Sequence, residues 1–263
     1  MSVSKFRYLY LSIAFGFVAV SLAAIGFFGF RFGIDFTGGA LWELSVSDTN
    51  APALTETLTN VTEESVTVSV DATTGNYLVR LGDSSPELYE SLRSAVTENY
   101  GEFQESSFQS IGPSVSDRLR TGAIMAIILV LLAISLYVII SFRNATGPVR
   151  SWAYGAATLL SLFHDVAIPA GLLAVLGYYG QVEVDTNFVV ALLVVMGFSV
   201  HDTIVVFDRV RENLMRGSRK PFTEIIDSSV KQTLARSINT SLTLVFVLVA
   251  LLVVGPENLW YFV

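Results

Sequence analysis

The chain of 263 residues is apolar for its size: 52% of the residues are hydrophobic and 15% are charged, against about 25% charged in soluble domains. It contains no cysteine, which excludes disulfides, thiolate metal sites and thiol nucleophiles. The formal net charge of −7 argues against nucleic-acid binding, although in a membrane protein this total averages over two sides of a bilayer. Composition therefore indicates an integral membrane protein.

Five stretches carry no charge or almost none, and each is long enough to cross a membrane, which takes about 20 apolar residues in a helix. In chain order they are Tyr8–Phe30, Thr121–Phe142, the residues between Arg150 and Glu183 interrupted only by His164 and Asp165, the residues between Asp185 and Asp208 interrupted only by His201 and Asp202, and Ser237–Pro256. The aromatic segment Leu259–Val263 that follows is typical of the start of a sixth helix. We therefore expect six spans, the sixth of them cut short.

Lys and Arg residues predict the orientation, because they accumulate on the cytoplasmic side of membrane proteins. With a cytoplasmic N-terminus, the basic residues before the first span, between the second and third, and between the fourth and fifth all lie in the cytoplasm. Residues 31–120 contain five basic and fourteen acidic side chains, so this segment is predicted to lie outside.

Residues 40–112 form the sizeable extramembrane segment. Alternating apolar residues predict strands at 41–46, 65–70, 77–81 and 102–111. Helical spacing predicts helices at 50–59, capped by Asn50, and at 84–100. The order βαββαβ is that of a ferredoxin-like unit. The segment has no His or Cys, so we expect it to bind or couple and not to catalyse.

Several short motifs accompany these spans. They are Gly33-Ile34-Asp35-Phe36-Thr37-Gly38-Gly39, Ile111-Gly112-Pro113-Ser114-Val115, His164-Asp165, the run from Gly197 to Asn213 that contains His201-Asp202, and Gln232 to Ser241. Taken alone, the glycine motif predicts a tight turn between a helix and a strand. In this order and on this topology, the set resembles the signature segments of the SecF family, over essentially the whole chain.

The resemblance implies a half-bundle of six transmembrane helices with one extramembrane domain, within the resistance-nodulation-division superfamily. We divide the chain into residues 1–31 (N-terminus and first span), 32–117 (extracytoplasmic domain) and 118–263 (remaining spans). The implied role is that of a non-enzymatic subunit of the SecDF accessory complex, a multi-pass protein of the cell inner membrane. It would couple inward proton flow to late steps of protein translocation through the Sec channel.

The implied partners are SecD, the SecYEG channel, YajC, YidC, the translocating unfolded polypeptide and membrane lipids. No cofactor is expected, because the proton motive force supplies the energy. The main alternative is a half-transporter of the same superfamily that moves lipid or small molecules. A purely structural membrane scaffold is a further alternative, which predicts no essential charge within the membrane.

Charged groups inside a bilayer are costly and need a reason. The predicted proton-relay residues are Asp202, Arg236, Asp165 and His164. Asp202 lies seven residues before Arg209 and Arg236 five residues after Lys231, which predicts a similar depth for Asp202 and Arg236. Snorkelling remains open for Arg236, as does a structural hydrogen bond between helices for His164 and Asp165.

Two further assignments complete the prediction. Gly33, Asp35, Gly38 and Gly39 are expected to form a hinge that sets the angle of the external domain on the first helix. The basic segment from Arg209 to Lys220 is a candidate for anionic lipids, although the positive-inside rule explains it equally well. No metal site is expected.

Overall fold

A computed structural model describes residues 3–47, 49–62, 66–70, 74–82, 85–143, 149–180, 182–216 and 220–255. Within these ranges, five helices are long and apolar enough to cross a membrane, which confirms the five predicted spans. They are α1 (Arg7–Phe28, preceded by the 3-10 turn Ser4–Phe6), α5 (Pro113–Ser141), α6 (Ser151–Tyr178), α7 (Thr186–Met215) and α8 (Phe222–Val254). The segment predicted to start a sixth helix lies outside the described residues.

The helices extend beyond the uncharged stretches from which they were predicted. α7 continues past Asp208 to Met215, and α8 begins at Phe222, well before Ser237. Backbone hydrogen bonding does not stop where a helix leaves the hydrocarbon region, so charge marks the membrane boundary and not the helix end.

Between the first two spans the chain forms a small α/β segment. Its elements are α2 (Ile34–Thr37), β1 (Gly39–Ser45), α3 (Ala51–Thr59), β2 (Thr67–Val70), β3 (Tyr77–Leu81), α4 (Pro86–Tyr100) and β4 (Gln104–Ile111). The strands form one antiparallel sheet in the order β2-β3-β1-β4, with Trp42 of β1 opposite Val79 of β3 and Phe108 of β4. As predicted, the Asn50 side chain caps α3 by accepting a hydrogen bond from the Ala53 N–H at 3.0 Å.

One apolar cluster holds this sheet and its two longer helices together. Trp42 and Leu44 of the central strand, Leu54 and Leu58 of α3, and Leu92 of α4 are fully buried in it. Each contributes about 1.5–3 kcal/mol when its side chain leaves water. The alternation of apolar residues on β1 and the helical spacing on α3 and α4 therefore converge on one core.

Contacts divide the chain into two compact units. The first is helical and comprises Met1–Gly29, Met125–Ala174 and Asn187–Val263. The second contains the sheet and comprises Phe30–Ile124 and Val175–Thr186. The segment between the third and fourth spans therefore belongs to the sheet-containing unit.

Side chains of different sizes pack the helical unit. Leu162 of α6 and Met196 of α7 are fully buried against α5 residues such as Leu131. Gly155 of α6 lies so close to Ile139 of α5 that a side chain at Gly155 would overlap it, which is the way small residues bring membrane helices together. Most large apolar side chains of α1, α5 and α8 are exposed, as expected for lipid-facing helices.

Candidate functional site

Polar side chains in the middle of α6 form a hydrogen-bonded cluster that reaches α7. The Asp165 carboxylate accepts a hydrogen bond from the Ser199 hydroxyl of α7 and a longer one, at 3.5 Å, from the Ser161 hydroxyl. His164 Nδ1 lies 2.9 Å from Asp165 Oδ1. These contacts offset the cost of holding a carboxylate among apolar helices. The structure thus brings His164 and Asp165 together, in contact with a neighbouring helix.

Helical spacing places this cluster beside Asp202. Ser161 and Asp165 are four residues apart on α6, and Ser199 and Asp202 are three apart on α7, so each pair shares one face of its helix. Asp165 and Asp202 consequently line the same cavity of about 700 Å³, with Thr240 and Ser241 of α8 on its wall. A water molecule occupies about 30 Å³ in the liquid, so the cavity has room for several.

Asp202 differs from Asp165 in how its oxygens are satisfied. Asp202 Oδ1 is buried and has no hydrogen-bond partner among the described residues. A buried carboxylate oxygen left without a partner is destabilising unless it is protonated or meets water or a mobile cation. Of these two aspartates, Asp202 is therefore the one with a carboxylate oxygen that lacks a partner among the described residues.

Arg236 lies apart from Asp202. It is exposed and lines a second cavity, together with Val205 and Asp208 of α7, whereas the wall near Asp202 is formed by Thr240, one helical turn further along α8. No ion pair joins Asp202 and Arg236 in the described part of the chain. The structure therefore does not bring these two side chains together.

The offset has a physical reason. Counting residues inward from the first charge assumes that every helix leaves the membrane at its last charged residue. The register of α8 against α7 is instead set by contacts such as Asn213 Nδ2 donating to Ser229 Oγ at 2.9 Å. Ser229 and Thr233 of α8 are buried, whereas Arg236, which follows Thr233 by three residues, is exposed.

The glycine motif forms a compact turn in the sheet-containing unit. Ile34–Thr37 is a single helical turn, and the Thr37 hydroxyl donates to the Gly33 carbonyl at 3.1 Å. Gly38 and Gly39 follow with φ of +75° and +102°, a region that other residues rarely adopt. A side chain at Gly39 would also overlap the backbone carbonyl of Leu81 in β3. Both glycines are thus required for β1 to enter the sheet directly after the turn.

Asp35, in the same motif, caps the fourth span. Its Oδ2 accepts a hydrogen bond at 2.8 Å from the backbone N–H of Thr186, the first residue of α7. The N-terminal N–H groups of a helix lack partners within the helix, and an anionic acceptor there is favourable. The Gly33 N–H also donates to the Val184 carbonyl at 2.8 Å, so two bonds tie the motif to the segment before α7.

Glu183 strengthens this connection. Its carboxylate pairs with Arg31 at 3.0 Å and also with Arg80 of β3. The Arg80 guanidinium donates to the Phe32 carbonyl at 3.1 Å as well. We call Arg31, Asp35, Arg80 and Glu183 the external clamp, because they join the glycine motif and the sheet to the loop before the fourth span.

Sequence reasoning placed Asp35 in the motif but missed its partner and the rest of the external clamp. The only sequence signal was the acidity of the short loop that contains Glu183 and Asp185. No sequence pattern relates positions 35 and 186. Among the described residues, no group of three or more His, Asp or Glu side chains is arranged to hold a metal ion.

Comparisons with known proteins agree with the motifs. Residues 91–263 match the family model described as protein export membrane protein SecD/SecF, C-terminal, and residues 23–49 match the SecD/SecF GG motif. The protein translocase subunit SecF of Thermobaculum terrenum is 35% identical, with 100% of this chain and 86% of the relative covered. The protein translocase subunit SecDF of Thermus thermophilus is 35% identical over 88% of this chain and 31% of its own.

A solved structure shares the fold. The crystal structure of SecDF from Thermus thermophilus, described as a translocon-associated membrane protein, superposes on 100% of this chain with a TM-score of 0.83 at 29% identity. The chain corresponds to 35% of that SecDF chain. With the family model covering well over half its length, the chain belongs to the SecD/SecF family of protein export membrane proteins.

Proposed function

We propose that this chain is a subunit of the protein-translocation machinery that couples inward proton flow to late steps of export through the Sec channel. The observation that carries the proposal is Asp202, whose buried carboxylate oxygen Oδ1 has no partner among the described residues and whose side chain lines a cavity between membrane-spanning helices. Membership of the SecD/SecF family supplies the process, since the relatives are named as protein translocase subunits.

The proton step uses Asp202 Oδ1, the oxygen without a partner among the described residues. Water in the cavity delivers a proton to Asp202, and the neutral side chain no longer favours a nearby cation. Release of that proton restores the charge and attracts the Arg236 guanidinium across about one helical turn, a distance of about 5 Å. Asp165 and His164 line the route, and their link to Ser199 couples α6 to α7.

The mechanical step uses α7, which carries Asp202 and begins at the Asp35 cap. A displacement of α7 changes the strain on the Thr186–Asp35 hydrogen bond and on the adjoining external clamp. Through Arg80 the external clamp contacts the sheet that is available to act on the exported polypeptide. Because the turn at Gly38 and Gly39 is rigid, it transmits this movement to the sheet.

The finer architecture belongs to the same proposal. The element order and the strand order β2-β3-β1-β4 support a ferredoxin-like domain. We propose that the rest of the chain belongs to a half-bundle of six transmembrane helices in the inner membrane. Bonds of 2.8 and 2.7 Å from Ser4 to Asp227 join the N-terminal segment to the first turns of α8, which follow the basic residue Lys220, and this supports a cytoplasmic N-terminus.

The proposed assembly follows from relatives in which both parts form one SecDF chain. We propose SecD as the direct partner, with SecYEG, YajC and YidC as further components and the unfolded polypeptide as cargo. The subunit performs no covalent chemistry and needs no cofactor other than the proton motive force.

The test is export into inverted membrane vesicles, measured with and without a proton gradient. Asp202→Asn removes the titrating charge and nearly preserves size, so the complex should assemble but lose the gradient-dependent stimulation. Glu224→Gln is the matched control, because Glu224 is an exposed carboxylate paired with Lys220 at 3.1 Å outside the cavity. Full stimulation in Asp202→Asn would refute the proton-relay role and leave Asp202 a structural one.

A further inference from the structure

A second cavity, of about 410 Å³, lies where the ends of α5 and α7 meet α8. Among the described residues, three arginines line it, Arg209, Arg211 and Arg236, against a single acidic residue, Asp208. We call it the arginine cavity. Its lining is therefore positively charged, although the whole chain is acidic.

The positive charge of the arginine cavity is only partly neutralised by the protein. Arg209 donates to Glu212 at 2.7 Å. Arg211 and Arg236 form no ion pair within the described ranges, and Arg211 Nε is buried without a hydrogen-bond partner. Burying a guanidinium donor with no acceptor is destabilising, so Arg211 is arranged for an acceptor that the described residues do not supply.

The arginine cavity also has an apolar wall, formed by Ile204 and Val205 of α7 and by Phe142. Along α7 the sequence changes from apolar to charged between Phe207 and Asp208, which marks the depth at which the helix leaves the hydrocarbon region. The cavity spans this boundary, with basic groups on one side of it and apolar groups on the other. Phospholipids have the same division between phosphate and acyl chain.

We propose that the arginine cavity binds the phosphate of an anionic phospholipid, with Arg211 as the principal ligand. A guanidinium presents parallel N–H donors that match phosphate oxygens, and such charge-assisted bonds are among the strongest in proteins. Basic pockets between membrane helices at the cytoplasmic surface are suited to lipid headgroups. The side chains of Tyr137 and Ser141 on α5 are available as additional donors.

A lipid fits the site better than the other acceptors with the same chemistry. Free phosphate would satisfy the arginines but has no apolar part to contact the apolar wall. An acidic side chain of another subunit would satisfy Arg211 but would leave the apolar wall without a partner. These alternatives give different results in the experiment below.

The experiment is native mass spectrometry of the purified full chain, released from detergent after titration with phosphatidylglycerol or phosphatidylcholine. The wild-type chain should bind phosphatidylglycerol saturably and at least about tenfold more tightly than phosphatidylcholine. Arg211→Gln should weaken phosphatidylglycerol binding by about tenfold or more, because a charge-assisted bond is lost. Arg211→Lys keeps the positive charge but loses the parallel N–H donors of the guanidinium, so its affinity for phosphatidylglycerol should lie between those of wild type and Arg211→Gln.

Lys220→Gln is the matched control, because it removes one positive charge from the same basic segment at a residue that does not line the arginine cavity. The affinity of Lys220→Gln for phosphatidylglycerol should stay within about twofold of wild type, since an exposed charge contributes little. Equal binding of the two lipids, or equal losses in Arg211→Gln and Lys220→Gln, overturns the proposal. If millimolar inorganic phosphate raises the melting temperature of the chain as much as phosphatidylglycerol does, the site binds free phosphate, and this result also overturns the proposal.

If the chain binds neither lipid specifically, the proposal is wrong and an acidic side chain of a protein partner becomes the expected acceptor for Arg211. The experiment measures binding to the isolated chain, so its outcome does not depend on whether Asp202 relays protons. Arg236 is not varied, because the proposed proton step uses it.

Discussion

Replacing Gly39 with alanine tests whether the glycine motif is a rigid turn or a simple linker. Gly39 has φ of +102°, and a Cβ there would approach the Leu81 carbonyl oxygen more closely than 3.0 Å, with the Gly82 carbonyl oxygen at 3.2 Å. Positive φ alone costs an alanine about 1–2 kcal/mol. Relief of the overlap must move β1 away from β3 at the Ala40–Leu81 pair, which leaves ladder groups unpaired at a cost of about 1–3 kcal/mol.

Gly75→Ala is the matched control, because Gly75 has φ of +74° and none of the described residues comes within 4 Å of its Cβ position. In Gly75→Ala the free energy of unfolding should fall only by the cost of positive φ, about 1–2 kcal/mol. Gly39→Ala should therefore lower the free energy of unfolding by about 1–3 kcal/mol more than this control. Such a difference is a large fraction of the stability of a small domain.

The assay is urea unfolding of the detergent-solubilised full chain, followed by the emission of Trp42. Trp42 is fully buried in the core of the sheet, so its emission should shift to the red when that core opens. Trp152, which is 62% exposed, and Trp260 are replaced by phenylalanine so that a single reporter remains. Equal destabilisation by Gly39→Ala and Gly75→Ala would refute the argument from close packing.

Two further predictions concern the capped helix and the topology. Asp35→Ala should speed hydrogen–deuterium exchange at the start of α7 by about fivefold, because losing an N-cap acceptor costs roughly 1 kcal/mol. Asp35→Asn keeps an acceptor and should have less effect, and unchanged exchange in Asp35→Ala would contradict the capping role. Single cysteines at Ser84 and Ser218, labelled on intact cells with an impermeant thiol reagent, should react at position 84 and not at 218. The reverse result would overturn the proposed orientation.

The sequence by itself determined the features that depend on local composition and period. Uncharged length is enough to locate a membrane-spanning helix, and the five spans agree with the structure. Apolar alternation and helical spacing are likewise properties of short segments, so the four strands and two longer helices between the first spans were predictable in order. The cap by Asn50 was predictable because its partner is only three residues away.

Tertiary structure alone decided which distant groups meet. The Asp35–Thr186 bond, the pairing of Glu183 with Arg31 and Arg80, and the Asp165–Ser199 bond join residues that no period relates. The same holds for the offset between Asp202 and Arg236, which charge counting placed at one depth. Helix rotation and register arise from side-chain packing between elements, as at Asn213 and Ser229, and hydropathy along one helix carries no information about the neighbour against which it packs.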